Sequence, residues 1–430
     1  MSALPARAVC VPLLGIALAA PAGGPPQSAA PTPQPAARAP ELKADEKTDT
    51  AAMAAYVKGM NDFAADLYRQ LGRQDGNLFL SPFSVHVALS MARTGARGKT
   101  AAAMAKALRV EGAPDQLTAS ARQVLTALKP GVEDGTKVYE LAVANALWSS
   151  PGYPLRDEFT RALRQGFQVE AREVDFAKNR SAACRTINAW VNDATRGKIS
   201  EIVDAMQLPD LTRLVLTNAI YFKSPWAEPF SKQATKDAPF HVRAGEKLDV
   251  PFLNQVKEFP YWKTDAFQGV ELPYAGHELS MVLVIPNEID GLAAVEKSFS
   301  ARTLDEGLKS ARRTKLFLSM PRFRTEAAFS LGDALVAMGM GDAFSPAADF
   351  SGMTEKEALY VDSVIHKSFI VVDEAGTEAA AATAVAVAAR AAPPKDPIPV
   401  RADRPFLYAI RHARTGAVLF LGRLVQPGAR

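Results

Sequence analysis

Between Glu374 and Arg390 the chain reads Glu-Ala-Gly-Thr-Glu-Ala-Ala-Ala-Ala-Thr-Ala-Val-Ala-Val-Ala-Ala-Arg, and here residue type and spacing say most about what the molecule does. Along an extended chain, Thr377, Ala379, Ala381, Thr383, Val385 and Val387 fall on one face; Glu378, alanines and Arg390 fall on the other. Every β-branched residue from Thr377 onward shares one face, which is the pattern of a strand that could be buried. The segment then runs into Pro393, Pro394, Pro397 and Pro399, which is loop chemistry. A strand pattern written into a loop implies a loop that can become a strand. Its alanine content alone would equally suit a linker or a helix, since alanine favours helix over strand.

Other residues that could do chemistry lack the surroundings it requires. Ser81, Ser84 and His366 invite a hydrolase reading, but no Gly-x-Ser-x-Gly elbow occurs in the chain. Gly95-Ala96-Arg97-Gly98-Lys99-Thr100 falls short of a phosphate loop. Its first glycine would have to stand at Arg93, and a helix, not a strand, precedes it. His86, His241, His277, His366, His412 and Cys184 show no metal-ligand spacing, so no metal or other cofactor is expected.

The whole chain bounds the architecture. It has 430 residues, 48% hydrophobic and 22% charged, which is ordinary globular composition with material for a large core. A net charge of +4 is too small and dispersed to argue for nucleic acid or a stable membrane association. Residues 1–22 read as an export leader: Arg7 gives the positive charge, Ala8 to Ala20 is apolar though broken by Pro12, and Ala20-Pro21-Ala22 is a small-x-small cleavage pattern. The apolar run is too short to span a bilayer. The expected location is therefore outside the cytoplasm, secreted or periplasmic. Residues 23–50 are rich in Pro and Ala and read as a disordered linker. Without the leader, which holds Cys10, only Cys184 remains, so stability must come from packing and not from an internal disulfide.

From 51 to 430, helix and strand signals alternate irregularly, with no repeat and no proline-rich break, so one α+β domain with several sheets is predicted. Helices are expected over Ala51 to Leu71, Phe83 to Thr94, Ile187 to Thr195 and Leu331 to Met338. Ser81-Pro82 caps and opens the second of these. Strands are expected over Asn77 to Leu80, Val138 to Trp148, Arg213 to Tyr221, Leu279 to Ile285, Leu316 to Met320, Phe369 to Val372 and Val418 to Val425.

These stretches resemble the serpin family through most of the domain. The motifs are Asn77-Leu78-Phe79-Leu80-Ser81-Pro82-Phe83-Ser84, Gly95 to Thr100, Asn188-Ala189-Trp190-Val191, Thr195-Arg196-Gly197-Lys198-Ile199 and Leu216-Thr217-Asn218-Ala219-Ile220-Tyr221-Phe222-Lys223 with Trp226. Further on come Pro321-Arg322-Phe323, His366-Lys367, the loop above, Arg404-Pro405-Phe406 and Leu419-Phe420-Leu421-Gly422-Arg423. The resemblance implies three β-sheets, about eight or nine helices and an exposed reactive-centre loop near 374–400.

It also implies roles. The hinge would comprise Glu374, Gly376, Thr377, Glu378, Ala379, Ala380, Ala381, Ala382 and Thr383, small because a strand must slip between two others. In inhibitory serpins the attacked bond usually lies sixteen residues beyond the hinge glutamate, which here is Arg390–Ala391. An arginine there suits a trypsin-like serine protease, trapped in a covalent 1:1 complex by loop insertion. Cleavage among Val385 to Ala389 would suit elastase-like enzymes instead, and a non-inhibitory binding or chaperone role is the alternative function. Ser81, Ser84, Asn218 and His366 match the polar shutter beneath the main sheet. Trp226, Arg322 and Glu374 match the breach where the loop first enters, with an Arg322–Glu374 ion pair expected. Asp115 to Lys129, at the position of the heparin-binding helix of some serpins, has only Arg122 and Lys129 as basic residues. That argues against a glycosaminoglycan activator. The protein would act as a monomer and an inhibitor, without catalytic residues of its own.

Overall fold

The computed structural model describes residues 13–19, 50–133, 136–169, 171–194, 201–205, 212–377 and 396–428. Three sheets and nine α-helices occur among the described residues. The main sheet contains β1 (Leu13–Ala19), β5 (Glu140–Ser149), β6 (Ala171–Glu173), β7 (Thr212–Pro225), β13 (Phe323–Ser330), β14 (Tyr360–Val372) and β15 (Gly376–Thr377). Its order is β13, β14, then β1 and β15 sharing one column, then β7, β5 and β6. The second sheet contains β2 (Leu78–Leu80), β8 (Lys236–Arg243), β9 (Glu246–Lys263), β10 (Phe267–Pro273), β11 (Leu279–Pro286), β12 (Arg312–Pro321), β16 (Ile398–Arg401), β17 (Phe406–His412) and β18 (Val418–Leu424). A small hairpin joins β3 (Val132–Glu133) to β4 (Thr136–Lys137).

The helices are α1 (Thr50–Leu71), α2 (Pro82–Gly95), α3 (Gly98–Leu108), α4 (Pro114–Ala127), α5 (Asp157–Phe167), α6 (Arg180–Ala194), α7 (Leu292–Ser298), α8 (Ala301–Ser310) and α9 (Gly332–Leu335). Every residue of α2 is buried, because it runs through the core between the two large sheets. Strand β11 is buried along its whole length for the same reason, with neighbours on both sides and cover on both faces. On the outer face of the main sheet α6 packs Ile187 and Val191 against Ala146, Trp148 and Val215. Trp148 also donates its indole N–H to Thr217 Oγ1 at 3.1 Å.

Most expected elements stand, with two corrections. The strand expected at Phe369 to Val372 runs from Tyr360. His366 and Ser368 break its apolar pattern, yet both are buried, because polar partners beneath the sheet receive them. The helix expected over Leu331 to Met338 is only Gly332–Leu335. A π-helical turn, Val336–Met340, follows, and Gly339 at φ 96° ends the regular ladder. Thr195 and the linker residues 23–49 lie outside the described residues.

Leu13–Ala19 forms a central strand of the main sheet. It pairs antiparallel with β14 on one side and with β7 on the other, although the sequence places it inside the leader-like segment and outside the expected 51–430 domain.

Candidate functional site

The site is built where β14 ends and the chain turns back. Asp373 Oδ1 accepts from the backbone N–H of Ala375 (2.8 Å) and of Gly376 (3.2 Å), while the Asp373 N–H donates to Gly376 O (3.0 Å). Burial pushes the Asp373 carboxyl above the usual carboxylate range, and the two amide donors oppose that rise. Gly376 has φ 153°, and a Cβ on it would lie 2.2 Å from Ser224 O. Only glycine fits this turn. The reversed chain then enters the main sheet: Thr377 pairs with Val372 on β14 and with Ser224 on β7.

Glu374 is held at this junction. Its Oε1 accepts from Thr235 Oγ1 at 2.8 Å and lies 3.7 Å from Arg322 Nη1. The expected Arg322–Glu374 pair is present but lopsided, since the Glu374 side chain is 8% exposed and Arg322 is 48% exposed. Trp226 donates its indole N–H to Asp373 O (3.0 Å), and its backbone N–H donates to Ala375 O (2.9 Å). Its ring stacks on Tyr274 with centroids 4.6 Å apart. Phe230, whose N–H donates to Glu374 O at 2.8 Å, was not singled out from the sequence, and neither were Tyr274, Thr235 and Asp373. Asp373 was legible as a turn residue one position before Glu374; the other three are brought in only by the fold.

A second polar cluster lies deeper. Ser81 caps α2, accepting from the Ser84 N–H at 3.1 Å and donating to Leu419 O at 2.7 Å. The Ser81 N–H donates to His366 Nε2 at 3.0 Å. Ser368 Oγ on the same strand donates to Phe79 O. Strand β14 is thus fastened to residues 79–81 by two buried polar contacts. This geometry excludes Ser81 as a nucleophile: it is fully buried, and its hydroxyl proton and one lone pair are already engaged. Asn218 lies on β7, opposite Asn145 of β5.

A main sheet that has taken in the start of its own loop, above a polar latch, is the architecture expected of a serpin. The family model "Serpin (serine protease inhibitor)" matches residues 58–427. The chain belongs to the serpin family. An uncharacterized serpin-like protein of Thermococcus kodakarensis is 42% identical over 372 residues, covering 86% of this chain and 85% of the relative. Leukocyte elastase inhibitor of Bos taurus is 39% identical over 376 residues, covering 85% and 97%. Among solved structures, that of cleaved Serpin 42Da aligns with a TM-score of 0.78 at 32% identity, covering 88% of this chain and all of the other.

In this serpin the structure brings Glu374, Gly376, Thr377, Trp226 and Arg322, expected at the breach, together at one junction, and Ser81, Ser84 and His366, expected at the shutter, into a second cluster. Glu378, Ala379, Ala380, Ala381, Ala382 and Thr383 of the hinge, and the bond Arg390–Ala391, lie outside the described residues. Among the described residues, no cluster of three or more His, Cys, Asp or Glu could hold a metal ion.

Proposed function

We propose that this serpin is a suicide-substrate inhibitor of a trypsin-like serine protease, cleaved between Arg390 and Ala391. One observation carries the reading: Gly376 and Thr377 already sit between β14 and β7, so the hinge has begun to enter the sheet along the path the rest of the loop would follow. The residues that continue this path are small, and their β-branched members share the parity of Thr377, whose side chain is fully buried.

The chemistry follows ordinary acyl transfer. The protease serine hydroxyl adds to the Arg390 carbonyl, the Arg390–Ala391 bond breaks, an ester forms, and Ala391 leaves as the amine carrying the proton. Insertion of residues 378 onward then satisfies their backbone groups and carries the tethered protease across the sheet. Distorting the protease oxyanion hole stalls deacylation; one donor lost there lowers the rate about 10²- to 10³-fold. The same proposal takes the protein to act outside the cytoplasm, supported by the leader-like pattern of residues 1–22.

A second reading, cleavage among Val385 to Ala389 by an elastase-like protease, is favoured by the bovine relative's name. Incubation with trypsin and with elastase, followed by mass spectrometry of the released C-terminal peptide, separates the two. A covalent complex that survives SDS, with a peptide beginning at Ala391, supports the first. A peptide beginning upstream of Arg390 moves the bond, and cleaved loop without any complex, from the chain freed of residues 1–22, removes the inhibitory function.

A further inference from the structure

Two strands occupy one column of the main sheet. At its upper end is β15, the start of the reactive loop, and below it is β1, residues Leu13–Ala19. Continuing the β15 register, in which Thr377 faces Val372 and Ser224, puts Ala382 opposite Lys367 and Ala219. Those are the two residues that Leu13 faces. The coincidence persists along the strand. Leu14 faces His366 and Asn218, the places of Thr383; Ile16 faces Val364 and Leu216, the places of Val385. From Leu13 to Ala17 both neighbouring strands give the same assignment, before a bulge shifts the pairing with β14 at Leu18, and β1 is antiparallel to both, as the inserted loop would be.

The parity agrees as well. Leu14, Ile16 and Leu18 hold the phase of Thr383, Val385 and Val387, while Gly15 and Ala17 hold the phase of the loop's alanines. Residues 20–49 link β1 to α1, a length of chain that allows up to about 3.3 Å per residue between the two. The positions between β1 and β15, opposite Ser368 to Val371, are those of Glu378 to Ala381 in the continued register.

We propose that Leu13–Ala19 is an intramolecular blocking strand: while it remains attached it fills the slot the reactive loop needs, and loop insertion stops before Ala382. A strand slot has one pair of backbone ladders to offer, so the two occupants exclude each other. The chain that keeps residues 1–22 is then a protease substrate, and removing them arms it. This consequence rests on the inhibitory reading above; occupation of the slot does not.

The test uses the full chain, the variant L14D/I16D and the variant Gly15→Pro. The first variant puts charges at the two register positions opposite the buried His366 and Val364; the second removes a ladder N–H from a central strand. Two readouts are taken: hydrogen exchange of residues 212–219 and 360–367, and the change in Tm when the loop is cut, with intact mass verifying that residues 13–19 remain. In the full chain these amides are protected and cutting leaves Tm unmoved. In both variants the expected result is loss of that protection before cutting and a rise in Tm after it. Equal protection in all three chains, or a full chain whose Tm rises on cutting as far as the variants' does, overturns the proposal. Neither readout needs a protease complex. Variants whose Tm rises on cutting yet trap no protease would refute the inhibitory reading and leave the blocking strand standing.

Discussion

Tyr274 Oη and Thr377 Oγ1 lie 2.7 Å apart in the buried seam between the breach and the start of the reactive loop. Tyr274 is fixed from two sides, stacked on Trp226 and edge-on to Phe222 with centroids 5.0 Å apart. Thr377 is therefore met by a preset partner when it enters the sheet. Tyr274→Phe keeps the ring packing and removes the bond, leaving a buried hydroxyl short of its partner at a cost of about 1–3 kcal/mol. The hinge can recover that cost by leaving the sheet. Amides of Ala375 to Thr377 should then exchange about ten- to a hundredfold faster. Exchange unchanged from the parent would show that the bond does not hold the hinge.

The Arg322–Glu374 pair makes an unequal prediction for its two members. Arg322 is half in solvent, so Arg322→Ala should cost under about 1 kcal/mol. Glu374 is buried and accepts from Thr235 as well, so Glu374→Lys removes two partners and sets an ammonium beside a guanidinium. That change should cost about 3–5 kcal/mol and shift material from monomer to polymer on warming. Thermal melts and size-exclusion profiles of the two variants test it, and equal behaviour would mean that the carboxylate is not what closes the breach.

How far this site was legible depends on where its partners lie in the chain. Helix α2 announced itself through Ser81-Pro82 and a continuous apolar run, because capping and burial are local signals. Glu374, Gly376 and Thr377 were legible because turn chemistry and strand parity act over a few residues. Tyr274 and Thr235 were not, since each meets the hinge across more than a hundred residues and neither has a local reason to be there. The N-terminal part of β14, Tyr360 to Ser368, was hidden because buried His366 and Ser368 look like a break until residues 79–81 supply their partners. The placing of Leu13–Ala19 was hidden for a different reason. An apolar run of small and branched residues suits an export leader and a buried strand equally, and only the column between β14 and β7 distinguishes them.

Thr377→Arg tests the hinge directly. Thr377 is fully buried between β14 and β7, with its hydroxyl on Tyr274. A guanidinium there would carry its charge into the sheet, which burial disfavours by several kcal/mol. In the chain with its slot free, the loop should be cut at the parent rate while the covalent complex disappears from SDS gels. Retained complex formation would mean that insertion does not begin at this residue.

One part of the stability lost in acid can be assigned to a buried ring. His86 is buried in α2, and its Nε2 stands 3.0 Å from Leu108 O, which can only accept, so the proton is on Nε2. Its Nδ1 faces the hydroxyls of Tyr56 and Ser90 at 3.4 Å, and the ring edge meets Phe63. Burial lowers its pKa, the bond to Leu108 opposes that fall and nearby Arg93 adds to it, which leaves the ring at about 3. The unfolded chain takes up this proton near pH 6.5, whereas the folded chain refuses it until about pH 3. Stability from this group is therefore full above pH 6.5 and falls as pH drops through that window, by about 1.4 kcal/mol per unit. His412, lowered to about 4, adds a parallel loss over the upper part of the window. His86→Gln removes the first contribution and leaves the second and all the carboxylates in place. Urea melts at pH 7, 6, 5 and 4 should show the variant losing about 1.4 kcal/mol less per pH unit below 6 than the parent. Parallel curves would mean that the folded protein already accommodates a charged ring at this position.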